Sequence, residues 1–408
     1  MSGSLRRRAA IATRSLILAL LLVCAVWPAV LSRQTALAPG ARVRQTRGLV
    51  RANSLAALAP KRARSALAPG SADNAPPVVA TIAYLPVQTD DPRLNRAEQV
   101  ALRVLERNAS GGLHLAAPFY NSTWIRDSYA WGMIPWTGSA AGALDTYSGT
   151  ELWHWLSNQR PDGFWITNSY SGWYDETPIM IAAIADSYRL SGNRRSLRAQ
   201  LPRAQQAWSA LAQREVRLAA GSRYLLFAQI PPHTAADWAD QVARSGYATG
   251  LEALWYHATR SMATMEAAVG DARRAARFAA FARGIKADIN RLLWRVSVPH
   301  ARNAPPAGPT GHYTGWLGAR DYFELDSNYL CILYGIASHA RAADILRFTA
   351  AHAAYLLGLG APRGIPARTV YGDYEPADYA RIHYNLADGR YQNGYWPGVG
   401  ALVAVAGA

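Results

Sequence analysis

Cysteine is almost absent from this chain. Cys24 lies in an apolar N-terminal run and Cys331 stands alone in another apolar stretch. No disulfide can therefore cross-link a folded domain, and Cys331 reads as a core residue rather than a nucleophile. Several catalytic signatures are missing as well. There is no G-x-x-x-x-G-K-[ST], no H-E-x-x-H, no paired C-x-x-C and no G-x-S-x-G. Their absence argues against phosphate-cradling loops, helical zinc sites and nucleophile-elbow serines. The nine histidines show no ligand spacing. His154, His257 and His383 read as structural or pocket-lining, and no metal or cofactor is expected. Phenylalanine is scarce, with 7 residues against 14 Trp and 21 Tyr. Trp and Tyr join a flat apolar face to a polar tip, which suits an aromatic-rich core and the wall of a sugar pocket alike.

Acids are nearly missing from the first 78 positions, where Asp73 alone faces twelve Arg and Lys. That stretch supplies +11 of the net +16, so the other 330 residues carry only +5. The folded part is thus close to balanced, and no nucleic-acid partner is expected. The basic stretch reads as a membrane-proximal tail drawn to anionic lipid. Residues 6–14 are basic, Ser15 to Leu31 form an apolar run, and Ala36-Leu37-Ala38 offers an A-x-A cleavage site. Residues 1–38 are read as a signal peptide or membrane anchor, which makes the protein extracytoplasmic, either secreted or held at the membrane. Residues 39–78 are Ala, Pro, Arg and Ser without periodicity, a disordered basic linker. Residues 79–408 remain for the folded domain, expected to be monomeric.

Helical apolar spacing appears in Arg96–Arg107, Ala143–Leu156, Thr177–Leu190, Ser196–Leu211, Thr249–Val269, Ala272–Leu293, Asp326–Ile336 and Ala340–Leu357. Gly192-Asn193 and Gly270-Asp271 are stop-and-restart signals between antiparallel helices. Strand alternation is scarce. Short polar connections alternate with long ones rich in aromatics and acids: Leu115–Asp127, Pro161–Glu176, Ile230–Gly246, Gly311–Asp326 and Gly358–Pro397. A ring of helical hairpins has this form, with tight turns at one end and site-forming loops at the other. The fold class is therefore all-α, and the helix count is compatible with an (α/α)6 barrel.

The long loops bring carboxylates together with Trp and Tyr. They hold Trp124-Ile-Arg-Asp127, Gly172-Trp-Tyr-Asp-Glu-Thr-Pro178, Asp237-Trp-Ala-Asp240, Asp321-Tyr-Phe-Glu-Leu-Asp-Ser-Asn328 and Gly372-Asp-Tyr-Glu-Pro376. Glycoside hydrolysis needs one protonated carboxyl at the leaving oxygen and a second to activate water or attack carbon. Aromatic walls raise the acid's pKa by desolvation and stack against the sugar. Taken singly, each acid ahead of an apolar run is also a good helix N-cap.

In that order the motifs resemble the six-hairpin glycosidases over about residues 95–408. Among these, the order is most similar to the glycogen-debranching amylo-α-1,6-glucosidases. Trp124-Ile-Arg-Asp127 is similar to the W-x-R-D element that grips the terminal sugar. Asp237-Trp-Ala-Asp240 and Gly250-Leu-Glu-Ala-Leu-Trp-Tyr256 resemble the S/T-W-M-D element and its following helix, and Tyr391-Gln-Asn-Gly-Tyr-Trp-Pro397 the closing segment. The resemblance implies an (α/α)6 barrel with Asp240 as general acid and Glu375 as general base. It implies substrate binding by Trp124, Arg126, Asp127, Glu176, Asp237, Trp238, Gln392 and Trp396. The reading is an inverting, exo-acting hydrolase of α-glucosides or small oligosaccharides. A carbohydrate-binding surface protein and a polysaccharide lyase on the same barrel are the alternatives. Should Glu375 lie away from the acid, Glu176 and Asp326 are the next candidates for the base. Two departures stand out. Thr249-Gly250 replaces a bulkier pair and the Gln of the V-E-x-Q helix is missing. The chain also stops at Ala408, within what the resemblance makes the twelfth helix.

Overall fold

The computed structural model describes residues 109–110, 113–114, 124–129, 152–165, 174–215, 221–228, 237–239, 242–357, 367–379 and 395–396, with positions 399, 402, 403 and 406. The leader and linker expected over 1–38 and 39–78, and the helix expected at Arg96–Arg107, lie outside them. The described helices are α1 (Ile125–Tyr129), α2 (Glu176–Ser191), α3 (Arg194–Glu215), α4 (Thr249–Val269), α5 (Ala272–Leu292), α6 (Leu325–Leu333), α7 (His339–Ala351) and α8 (Ala353–Leu356). Residues 152–157 are also helical. The described strands are short and form three antiparallel pairs: β1 (Ala109–Ser110) with β2 (Leu113–His114), β3 (Trp294–Ser297) with β4 (Thr310–Tyr313), and β5 (Ala367–Arg368) with β6 (Tyr395–Trp396).

Two pairs of helices form consecutive hairpins, α2 with α3 and α4 with α5, while α7 packs on β4. In both pairs the partners differ in character. α2 and α4 are buried over most of their circumference, from Asp175 to Asp186 and from Thr249 to Tyr256. A helix that is apolar all round belongs inside. α3 and α5 are amphipathic, with one buried face and an exposed arginine-rich one. α4 packs against both α2 and α6, so the inner helices are neighbours while α3 and α5 cover them. Trp208 of α3 marks the seam between layers: it stacks on Trp255 of α4 at 5.2 Å and donates to the Thr259 hydroxyl at 3.0 Å.

Sequence chemistry sets the turns. Gly192 and Gly270 close α2 and α4 at φ 65° and 95°, a left-handed conformation that glycine adopts without Cβ strain. Asp271 then starts α5 by accepting from the backbone N–H of Arg274 at 2.9 Å. Ser338 starts α7 in the same way through Arg341. Near the C-terminus Val399, Leu402, Val403 and Ala406 are helical at i, i+3, i+4, i+7 spacing, with Val399 and Leu402 buried. Among the described residues no helix is long and apolar enough to cross a membrane.

Candidate active site

The inner helices α2, α4 and α6 begin at one end of the barrel, and what precedes each start is acidic or cationic. Asp175 occupies the position before α2, and Glu324 the position before α6. Neither side chain caps its helix. Asp175 instead accepts from Arg126 of α1 at 3.2 Å, and Glu324 turns to Arg244. The contrast with Asp271, which does cap, separates two uses of one residue type. Acids at the turn end complete a helix, while these two are turned away from that role.

Arg244 is the hub of the centre. Its guanidinium reaches Glu324 through Nε and Nη2 at 3.1 Å each, Asp237 through Nη1 at 3.0 Å, and both oxygens of Asp326 at 3.0 and 3.3 Å. The planar fork serves three carboxylates, which a lysine's point charge could not do. Trp238 Nε1 adds a donor to Asp326 at 2.8 Å, Tyr374 Oη and Ser327 Oγ donate to Glu324 at 2.8 and 2.7 Å, and Asp237 also accepts from the N–H of Ala239 at 2.9 Å. Beside this lies a second ion-paired group: Arg126 bridges Asp175 at 3.2 Å and Glu176 at 3.8 Å, and its guanidinium sits 5.7 Å from the Trp124 ring centre. Asp175, Glu176, Glu324 and Asp326 are fully buried, Asp237 and Arg244 nearly so. Thr177 fixes the start of α2, exchanging hydrogen bonds with the backbone of buried Trp165 at 3.0 and 3.1 Å.

Five buried carboxylates thus share two guanidiniums. Burial pushes the Asp175 carboxyl up to about 7; Arg126 opposes this, and Glu176 and Asp237 add to it. Burial likewise raises Glu324 to about 7, opposed by Arg244 and reinforced by Asp326. Both acids therefore exchange a proton near neutrality, the condition for general acid–base work. Among the described residues Asp175 Oδ2 has no hydrogen-bond partner. A buried carboxylate oxygen left open in this way is costly unless a ligand group meets it.

One of the two glycines beside the cluster makes room for it. Any Cβ at Gly315 would stand 2.6 Å from Glu324 Cδ, so only glycine lets that backbone pass. Gly315→Ala should cost about 1–3 kcal/mol by overpacking and reduce turnover by displacing Glu324, as thermal melts and kinetics on one preparation would show. A Cβ at Gly250 would meet Ser327 Oγ at 3.4 Å and Asp326 Oδ2 at 3.9 Å, an ordinary fit. The cap contrast is also testable. Asp271→Ala should lose about 1 kcal/mol of stability with unchanged kinetics. Asp175→Asn should instead lose turnover with little effect on the melt. Equal kinetic losses in both variants would contradict the distinction.

Of the residues singled out from sequence, Trp124, Arg126, Glu176, Asp237 and Trp238 all belong to this centre. Glu375 is placed differently. Its carboxylate faces His300 Nε2 at 2.9 Å and Arg302 at 3.9 Å, it is 26% exposed, and it precedes the 3-10 turn Pro376–Asp378. It shares no contact with Arg244, whereas its neighbour Tyr374 reaches Glu324. Trp396 lies in β6 opposite Ala367. Asp240, Gln392 and the side chains of Asp127 and Trp396 lie outside the described residues. The residues that sequence reasoning did not single out are Arg244, Glu324, Asp175 and Tyr374. The last three stand inside the aromatic-acid loops already quoted. Arg244 carries no motif. Among the described residues no group of three His, Cys, Asp or Glu could hold a metal ion.

No family model matches this chain, and neither does any curated protein. Solved structures do. A rhamnosidase from Klebsiella oxytoca with rhamnose bound superposes with a TM-score of 0.51 at 13% identity, covering 65% of this chain and 49% of that one. A bacterial glucoamylase complexed with acarbose gives 0.42 at 17% identity over 63% and 37%. A GH63 mannosylglycerate hydrolase from Thermus thermophilus in complex with Tris gives 0.43 at 14% over 75% and 90%. The chain spans about half the length of the rhamnosidase, whose superposition carries the comparison. On architecture, then, the chain has the (α/α)6 fold, and the comparisons do not single out the debranching type.

Proposed function

We propose that the chain hydrolyses an O-glycosidic bond of a neutral sugar at the Arg126–Arg244 centre. The observation that carries this reading is that the acids opening α2 and α6 are buried and decline to cap their helices, and that burial pushes both carboxyls up from the ordinary range. One such carboxyl can protonate a leaving oxygen while another accepts a proton from water. Asp175, with its open oxygen, suits the first task and Glu324 the second. Arg126, Trp238, Asp237 and Asp326 would bind sugar hydroxyls. Five carboxylates against two guanidiniums disfavour a uronic acid, and with it the polysaccharide-lyase reading.

A second assignment of the acid–base pair has its own support. Motif order names Asp240 as acid and Glu375 as base, and the partial exposure of Glu375 leaves it open to water. Inversion, attack from the non-reducing end and action outside the cytoplasm, with the N-terminal segment at the membrane, complete the proposal. A panel of nitrophenyl glycosides, α-glucoside and α-rhamnoside included, tests it on the full chain. Release of nitrophenol with proton NMR showing the opposite anomer supports it. Sugar binding without release would make the protein a binding module, and a new absorbance from an unsaturated product would make it a lyase.

A further inference from the structure

The outer helices α3 and α5 lie side by side: Trp208 meets Phe278 and Phe281 edge-on at 4.8 and 5.1 Å. Helical periodicity extends this seam toward the turn end of the barrel. On α3 the stripe that contains Trp208 runs back through Gln205, Leu201, Arg198 and Arg194 at steps of three and four. On α5 the residues four before Phe281 and Phe278 are Arg277 and Arg274. Toward the turn end both helices therefore carry arginines, with Arg195 and Arg273 beside them. All six arginines are exposed. Arg274 pairs with Asp271 at 3.5 Å. Arg194, Arg198, Arg273 and Arg277 have no ion pair or side-chain hydrogen bond among the described residues.

Local physics argues against placing them there. Cations in the first turn of a helix oppose its dipole; α3 has no acid there, and α5 has only its cap Asp271 to offset them. Like charges gathered at one end also repel. Departures of this kind from local preference are expected where an external partner compensates. No aromatic side chain stands exposed among the described residues to stack on a base; the exposed large apolar residues are Val296 and Val298. The chain's first 78 residues add twelve cations and an apolar run, chemistry that suits an acidic bilayer.

We propose that the α3–α5 arginine face docks the barrel on a membrane rich in anionic lipid headgroups. The candidate active site lies at the opposite ends of α2 and α4, about 24–32 Å away at 1.5 Å per residue. Docking would hold that site toward the aqueous phase.

The test uses the full chain in nanodiscs of phosphatidylcholine alone or with phosphatidylglycerol added, and reads phenylglyoxal modification of individual arginines by mass spectrometry. Modification of Arg194, Arg198, Arg274 and Arg277 should slow several-fold in the acidic nanodiscs, recover in high salt, and leave Arg320 at the other end unchanged. The leader enters both nanodiscs, so only the local footprint is read. The variant Arg198→Gln/Arg277→Gln, which touches neither the core nor the site, should melt as the wild type does and lose the protection of Arg194 and Arg274. Equal rates in the two nanodiscs would overturn the proposal. So would protection by soluble heparin but not by acidic lipid, which would assign the face to a polyanionic saccharide.

Discussion

Arg244→Met should lower the melting temperature by roughly 6–20 °C at pH 8 and abolish any sugar binding. The side chain is buried and its fork touches Asp237, Glu324 and Asp326. Removing the cation from a buried ion pair typically costs about 3–5 kcal/mol, because the remaining charge is left uncompensated. In a domain of this size each kcal/mol moves the midpoint by about 2–4 °C. The deficit should depend on pH. Without the guanidinium that opposes its burial, the Glu324 carboxyl holds its proton more tightly in the folded state than in the unfolded one. Stability then rises as pH falls, and the gap from wild type should narrow toward pH 5. Arg244→Lys should fall between, since one ammonium cannot reach three partners. A methionine variant that melts with the wild type at pH 8 would remove Arg244 from the centre of the argument.

The helices were largely legible in the sequence. Thr249–Val269 and Ala272–Leu292 match their apolar periodicity almost to the residue, because Gly270 and Asp271 punctuate them with specific chemistry. The expected Ala340–Leu357 is divided at His352 into α7 and α8, a break with no Gly or Pro to announce it. The β3–β4 hairpin was not foreseen, its strands being four residues each and lacking clean alternation.

The site was legible by composition more than by role. The aromatic-acid loops include Glu176, Asp237 and Trp238, which the fold brings together around Arg126 and Arg244. Spacing cannot distinguish an acid that caps a helix from one that does not. Asp175, Asp271 and Glu324 all precede helices, and the difference lies in which partner the fold brings near. Arg244 was invisible for a related reason. An arginine in a loop reads as exposed until three carboxylates from distant positions surround it, and Asp326 is separated from it by 82 residues.

Glu324→Gln should cost on the order of 10²–10⁴ in kcat, the range typical of a lost general acid or base. The amide keeps the shape, its one oxygen can accept from Tyr374 or Ser327 and its NH2 can donate to the other hydroxyl, so folding should survive. A stability measurement independently checks the protonation state. Glu324 is raised from 4.5 to about 7 in the fold. Between those values the folded protein binds a proton that the unfolded chain releases, so this group's contribution to stability is present at low pH and is lost as pH rises toward 7. Glutamine removes that titration. The fall in melting temperature between about pH 4.5 and 7 should therefore be shallower in the variant, even though Asp175, raised to about 7 as well, continues to contribute. Glu375→Gln is the matching experiment. Glu375 lies against His300 outside the Arg244 cluster, and its loss should change kcat by less than tenfold, below the range for a catalytic carboxylate. If Glu375→Gln abolishes turnover while Glu324→Gln retains it, the base lies where the motif order put it. The buried cluster would then be a sugar-binding site rather than the source of the chemistry.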